Sequence, residues 1–312
     1  MSPLLASLTI DLDGLEHYHR IHGLPAPPGG PDPIYERASA RFGELSAGLG
    51  VKGTLFCVGR NLAYEPAARA VERLARDGHE IANHSLSHDY RLSRLSPEPM
   101  RAEIEGGAEA VARVCGRRPV GFRAPGYTLS APLLAALARA GYRYDASAFP
   151  ALPYYLAKAA VLLGQRMKGR TSAAILDRPR VLLAPRVPYR PHPREPYRVG
   201  ALELLELPVA TGLFGFPLTG AAVGALPRRL IRTLARPFSN RPLLDLELHG
   251  LDLLDASEVP GALRALQPEL RVPLKERLAR LRDFVDEARE RAWVPLSEAA
   301  ERLRATARQA PG

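Results

Sequence analysis

Six polar residues carry most of the chemistry in this 312-residue chain: Asp11 and Asp13 in SLTIDLDG, His84 and His88 in NHSLSH, Arg123 in FRAPGY and His249 in LELHG. Each stands at or just after the end of a short apolar run. Two carboxylates two positions apart on a strand point to the same face, and they repel unless a cation sits between or beside them. His84 and His88 are spaced i, i+4, so one helical turn would put both imidazoles on one side, as zinc sites often require. One Asp and two His make three ligands and leave a metal position open. The remaining Asp, the Arg and the last His can serve as base, orienter and acid. This set suits metal-assisted hydrolysis.

The neighbours of these six refine the reading. An Arg at a strand end near a carboxylate lowers that carboxylate's pKa and fixes its geometry. Asp245, Glu247 and His249 alternate with leucines in LLDLELH, so they share one strand face. A His at the mouth of a barrel can protonate a leaving amine. His79 reads as packing, and Ser85 and Ser87 as partners for the local backbone. Two cysteines give no disulfide framework, and Cys57, inside GTLFCVG, reads as a buried thiol.

The elements that must position these groups alternate in type. Strands are expected at LLASLTIDL, GTLFCVG, HEIAN, PVGFRAP and YRYDAS, with helices near Ile34 to Leu49, Glu65 to Asp77, Met100 to Cys115 and after a Ser130 cap. Strands return at ALELLELPV and PLLDLELHG. A Lys275 to Arg291 helix follows, then a short strand AWVPL and a final helix capped by Ser297. This rhythm predicts parallel βα units, with the C-terminal strand ends converging on one mouth. We expect one domain over residues 1–312, interrupted by insertions at about 150–200 and 208–240. The Gly/Pro-rich stretch after the first strand reads as a loop. The histidines before it, His17, His19 and His22, read as a solvated loop, as part of a sugar site or as a second metal site.

In this order SLTIDLDG, NHSLSH, FRAPGY, YDASAFP and LELHG resemble the five motifs of the polysaccharide deacetylases (carbohydrate esterase family 4, the NodB homology domain). The resemblance covers roughly residues 5 to 150 and 240 to 300. It implies a distorted, incomplete (β/α) barrel of parallel strands and a divalent metal, usually zinc, with cobalt, nickel or manganese as alternatives. It implies a metal-dependent hydrolase that removes an N-acetyl group from an amino sugar. Carried over by motif, Asp13, His84 and His88 would bind the metal and Asp11 would be the base. Arg123 would hold Asp11 ionised and in place, and His249 would be the acid. A backbone N–H near Gly126 or Tyr127 would stabilise the oxyanion. The fourth motif would make Asp145 a partner of His249. The chain departs from the family's commonest pattern in three places. Leu12 separates the two Asp, Gly126 is inserted before Tyr127, and the fourth motif lacks its tryptophan.

A charge of +10, from 43 basic and 33 acidic residues, suits nucleic acid, a membrane surface or an anionic substrate. No nucleic-acid motif is present and aromatic residues are few, so nucleic acid is set aside. GAAVGALPRRLIRTLARPF, with Leu226, Leu230, Ile231 and Leu234 on one side and Arg228, Arg229, Arg232 and Arg236 around it, reads as an interfacial helix. YYLAKAAVLLGQRMKGR has the same character. The expected substrate is therefore an N-acetylated sugar, glycan or lipid-linked, with peripheral membrane contact. Without a signal peptide or a long apolar run, the expected location is the cytoplasm, including the inner membrane face. Two alternatives remain: a deformylase or deacetylase of a small metabolite, and a non-catalytic glycan- or lipid-binding barrel.

Overall fold

A computed structural model describes residues 4–27, 29–212, 215–235 and 240–309. The first half alternates as expected: β1 (Leu5–Leu12), α1 (Leu15–His22), α2 (Ser39–Leu49), β2 (Thr54–Cys57), α3 (Glu65–Arg76), β3 (Glu80–Asn83), α4 (Pro97–Cys115), β4 (Gly121–Phe122), α5 (Ala131–Arg139) and β5 (Tyr144–Asp145). Then come α6 (Leu152–Met167), β6 (Pro191–His192), β7 (Glu195–Val199), β8 (Leu205–Glu206), α7 (Gly220–Ala225) and α8 (Arg228–Ala235). The chain closes with β9 (Leu243–His249), α9 (Gly261–Arg264), α10 (Leu274–Glu287), β10 (Ala292–Trp293) and α11 (Leu296–Gln309).

β1 is the central strand. Every residue in it is buried, as expected of a parallel strand covered on both faces. It pairs with β9 from Leu5 to Asp11 on one edge. On the other it pairs with β10 at Leu5 and Ala6 and with β2 from Thr9 to Leu12. β2, β3, β4, β5 and β8 continue the sheet, all parallel. The sheet curls into the distorted, incomplete (β/α) barrel expected from the motifs. The β1–β9 register sets Asp11 beside His249 and Thr9 beside Glu247, so two distant sequence segments meet at the same strand ends.

Several local expectations change. The histidine-rich segment after β1 is a helix, α1, closed by Gly23 in the left-handed conformation, where glycine carries no Cβ penalty. Its His17 and His19 are buried, so the solvated-loop reading fails. The helix expected from Ile34 opens with a π turn over Ile34–Ala38. Ser130 caps α5, accepting from Leu133 N–H. Ser297 does not cap the last helix. It lies in the first turn of α11 and its N–H donates to Glu80 Oε2 at 2.8 Å.

The insertions form separate covers. α6 and the antiparallel β6–β7 hairpin occupy 150–200. The single interfacial helix expected near 220–236 is two helices, divided before Pro227. Ile231 is buried while Leu230 is 42% exposed, and Arg228 pairs with Asp283 of α10 at 2.6 Å. α8 thus packs on α10 rather than presenting a free apolar side. The side chains of Arg232 and Leu234, and the whole of Arg236, lie outside the described residues.

Candidate active site

β1 delivers both aspartates to one mouth, and both are buried. Asp13 Oδ1 lies 3.2 Å from His84 Nε2 and 3.1 Å from His88 Nε2. Asp13 Oδ1 and both ring nitrogens of His88 have no hydrogen-bond partner although they are buried. Buried polar atoms without partners are costly. Here one carboxylate oxygen and two imidazoles converge within 4.8 Å, the donor set of a three-ligand divalent site. The residues fit a metal, and Asp13, His84 and His88 would hold it. His84 Nδ1 lies 2.7 Å from Arg123 O. A carbonyl there fixes the proton on Nδ1 and leaves the Nε2 lone pair facing Asp13.

The two histidines reach this arrangement without a helix. Residues 84–88 are a loop in which Ser85 (φ 64°) and His88 (φ 54°) take left-handed backbone, and Ser85 Oγ accepts from His88 N–H at 3.0 Å. The i, i+4 spacing therefore works through two unusual turns. His17 stacks on His88 with ring centroids 4.3 Å apart. Burial, then the neighbouring His88, pushes His17 down to about 2, so it packs as a neutral ring. His79 Nδ1 accepts from Gly53 N–H and its ring packs on Phe42.

Arg123 organises the next layer. It is fully buried, and its Nη1 and Nη2 lie 2.8 Å from Asp11 Oδ1 and Asp245 Oδ2. Its Nε donates to Ala146 O at 2.8 Å, and its guanidinium lies 4.1 Å from the Phe56 ring centre. Asp245 is still pushed up to about 6, because burial outweighs Arg123.

His249 has a different partner from the one expected. Its Nδ1 lies 2.9 Å from Glu247 Oε1. Burial disfavours the imidazolium, but Glu247 and then Asp11 outweigh it and raise the His249 pKa well above its ordinary value. Asp145 does not reach His249. It sits on β5 and accepts from Ser147 Oγ at 2.8 Å. The signal for Glu247 was the E-x-H spacing on a strand, which puts both side chains on one face.

Asp145 instead forms a buried carboxyl pair with Glu206. Glu206 Oε1 accepts from the Ser147 and Ala148 N–H groups, and Ser147 Oγ accepts from Ala124 N–H. The pair thus fastens the loop whose Ala146 carbonyl holds Arg123. Burial, then Asp145, raises Glu206 well above the carboxylate range. For an acid with a raised folded pKa, the stability contribution is full below the unfolded pKa and is lost as pH rises through the folded one. Glu206→Gln cannot ionise, so its melting temperature should gain on wild type as pH rises from about 5 to about 9. A constant difference across that range in thermal melts would contradict the raised Glu206 pKa.

Of the two expected backbone oxyanion donors, the Tyr127 N–H is engaged within its own turn. Gly126 (φ 64°) and Tyr127 (φ 58°) make a tight turn, and Tyr127 N–H donates to Ala124 O at 3.0 Å. The turn sends the Tyr127 phenol into the site, 3.0 Å from Asp11 Oδ2. Gly126 O accepts from Lys158 Nζ at 2.8 Å. Burial lowers Lys158 to about 8.

A cavity of about 310 Å³ opens over these groups, with Asp11, Asp13, His84, Tyr127 and His249 at its base. Of the histidines read as part of a sugar site, His22 does line it; sequence reasoning missed the other wall residues, among them Tyr18 and Ile21 from α1, Tyr90 after β3, Tyr154 and Lys158 from α6, and Asp252, Gln267 and Glu269. His19 is not among them. Its Nδ1 lies 2.5 Å from Pro25 O, away from the cavity. Burial raises Asp252 to about 7, and its carboxylate accepts from His249 N–H at 2.8 Å.

Comparison with known proteins places this arrangement. Residues 31–144 match the polysaccharide deacetylase family model. A chitooligosaccharide deacetylase of Bradyrhizobium sp. (strain ANU 289) is 33% identical over 92 residues, which are 29% of this chain and 41% of that protein. A peptidoglycan deacetylase-like protein of Gibberella zeae is 31% identical over 100 residues, 32% of this chain and 29% of that protein. The chain thus spans well under half the length of these relatives. Among solved structures, one from Mycobacterium smegmatis with a provisional polysaccharide deacetylase name superposes with a TM-score of 0.61 at 21% identity, covering 98% of this chain and 92% of that one. The allantoinase PuuE superposes at 0.57 with 17% identity, over 97% and 91%. These two show the shared fold, and a fold hosts more than one reaction. The family model thus covers the stretch that holds His84, His88 and Arg123, and over that stretch the chain is similar to the polysaccharide deacetylases.

Proposed function

We propose that this protein is a metal-dependent N-deacetylase of an amino sugar, working as one catalytic domain whose insertions wall the cavity. The observation that carries the reading is the convergence of Asp13, His84 and His88 beside a cavity that Asp11, Asp13, His84 and His249 line together. A divalent cation held by Asp13, His84 and His88 would supply water activation and carbonyl polarisation when bound. Zinc suits this N,N,O set, and cobalt, nickel or manganese can occupy the same ligands. Asp11, held by Arg123, takes the proton of the attacking water. His249, charged through Glu247, gives a proton to the leaving nitrogen. The relatives named for chitooligosaccharide and peptidoglycan deacetylation support an N-acetylated sugar as substrate. The test is acetate release from N-acetylated oligosaccharides by the metal-loaded protein. No release from any acetylated sugar, with the metal bound, would reject the reading in favour of a binding barrel.

We extend this to a sugar presented at a membrane surface. Among the described residues no helix is long and apolar enough to cross a membrane. α6, however, leaves Leu156 57%, Leu163 60% and Met167 79% exposed, while its Lys158 and Val161 line the cavity. An exposed apolar helix beside basic residues has the composition of an interfacial element, and it borders the site where a lipid-linked sugar would enter. Flotation with anionic vesicles at low salt should carry wild type upward and leave Leu156→Glu/Leu163→Glu behind. Recovery of neither with the vesicles would remove the membrane contact, and equal recovery of both would remove α6 as the element that makes it.

A further inference from the structure

We propose that the Tyr127 phenol carries a proton from Asp11 to His249 at the end of each turnover. This rests on the deacetylase reading and adds a working residue to it. The Tyr127 Oη lies 3.0 Å from Asp11 Oδ2, 2.8 Å from Glu247 Oε1 and 3.3 Å from His249 Nε2. One hydroxyl therefore touches both the base and the acid. Its ring is 6% exposed and packs edge-on to Phe149 and Tyr154, with centroids 5.1 and 5.9 Å away. A tyrosine at φ 58° is held in a region that bulky residues seldom adopt. Such strain persists only where surrounding structure fixes it.

The chemistry needs such a bridge. Amide hydrolysis leaves Asp11 with a proton taken from water, and leaves His249 short of the proton it gave to the amine. To restart, one proton must pass from Asp11 to His249 Nε2. The phenol does this in one exchange. Its O–H bond breaks as the proton goes to Nε2, and a new O–H bond forms with the Asp11 proton. The phenol is neutral before and after, and no proton is drawn from solvent. Asp11, Glu247 and His249 also lie close enough to suggest a second cation. Positive charge is already supplied there by Arg123, 2.8 Å from Asp11, and His249 Nδ1 is engaged by Glu247.

The test compares wild type and Tyr127→Phe, both zinc-loaded, on two probes. N-acetylated chitooligosaccharide releases an amine that must be protonated. 4-Nitrophenyl acetate releases a phenolate that needs no proton, so His249 stays charged and the bridge has nothing to refill. On the amide, Tyr127→Phe should lose about 10²-fold in kcat with KM little changed, and raising the buffer concentration should recover part of the loss. On the ester its loss should be at least roughly tenfold smaller than on the amide, and its zinc content should be unchanged. Equal losses on both probes, without buffer recovery, would mean that the phenol only positions Asp11 and would overturn the relay. An amide rate equal to wild type would overturn it too. If wild type, with zinc bound, cleaves no acetylated amide, the deacetylase reading itself fails and takes the relay with it.

Discussion

The His84→Ala/His88→Ala variant is expected to fold, to bind no stoichiometric zinc and to release no acetate. Both rings are buried beside Asp13; His88 nitrogens have no hydrogen-bond partner, and the substitutions remove one side-chain hydrogen bond, from His84 Nδ1 to the Arg123 carbonyl, with the ring packing of His88. Two lost ligands leave one carboxylate, too few for a divalent site. Elemental analysis should fall from about one ion per chain to background. Retention of the ion in the variant would place the metal elsewhere, with Asp11, Glu247 and His249 the nearest other set of ligand atoms among the described residues.

Arg123→Met is expected to be the most destabilising single change near the site. The guanidinium ties Asp11, Asp245, Thr9 and the Ala146 carbonyl together with no exposure to water. Removing one partner of a buried ion pair leaves uncompensated charge and costs roughly 3–5 kcal/mol, a large share of a typical domain's stability. The loss should depend on pH. Asp245 already titrates at about 6 beside Arg123, so its folded pKa lies above the unfolded value. Its contribution is full below about 3.9 and is lost as pH rises through about 6. Without Arg123 the penalty of the charged form grows. Denaturant melts of Arg123→Met should therefore recover toward wild type as pH falls from about 7 to about 5. A loss under about 1 kcal/mol at neutral pH would show that the pair is not the keystone of this layer.

The sheet and the metal cluster were legible because strand periodicity and motif order are local signals. D-x-D at the end of a buried strand forces both carboxylates to one mouth, and the β1–β9 register brings His249 alongside. The loop geometry was not legible. Nothing in NHSLSH announces that Ser85 and His88 take positive φ, so a helix was the simpler way to bring the imidazoles together. α1 was hidden because LEHYHRIH carries its burial on Leu15, His17, Tyr18 and His19, and histidine gives a weak apolar signal. Glu247 was displaced by Asp145 because the family motif outweighed the strand alternation that placed Glu247 and His249 on one face. Tyr127 was expected to act through its backbone. Only the paired left-handed residues at Gly126 and Tyr127 turn its phenol toward Asp11. The cavity walls come from segments far apart in the chain, from α1 to Glu269, and only folding brings them together.

The most direct test of the account is acetate release from N-acetylated chitooligosaccharide by zinc-loaded wild type and Asp11→Asn, with zinc content measured on the same samples. The account predicts release by wild type, a fall of roughly 10²–10⁴-fold in Asp11→Asn, and the same zinc content in both. Near-equal rates in the two proteins would contradict the assignment of Asp11 as the base. Zinc bound in both, with acetate released by neither, would contradict the deacetylase itself.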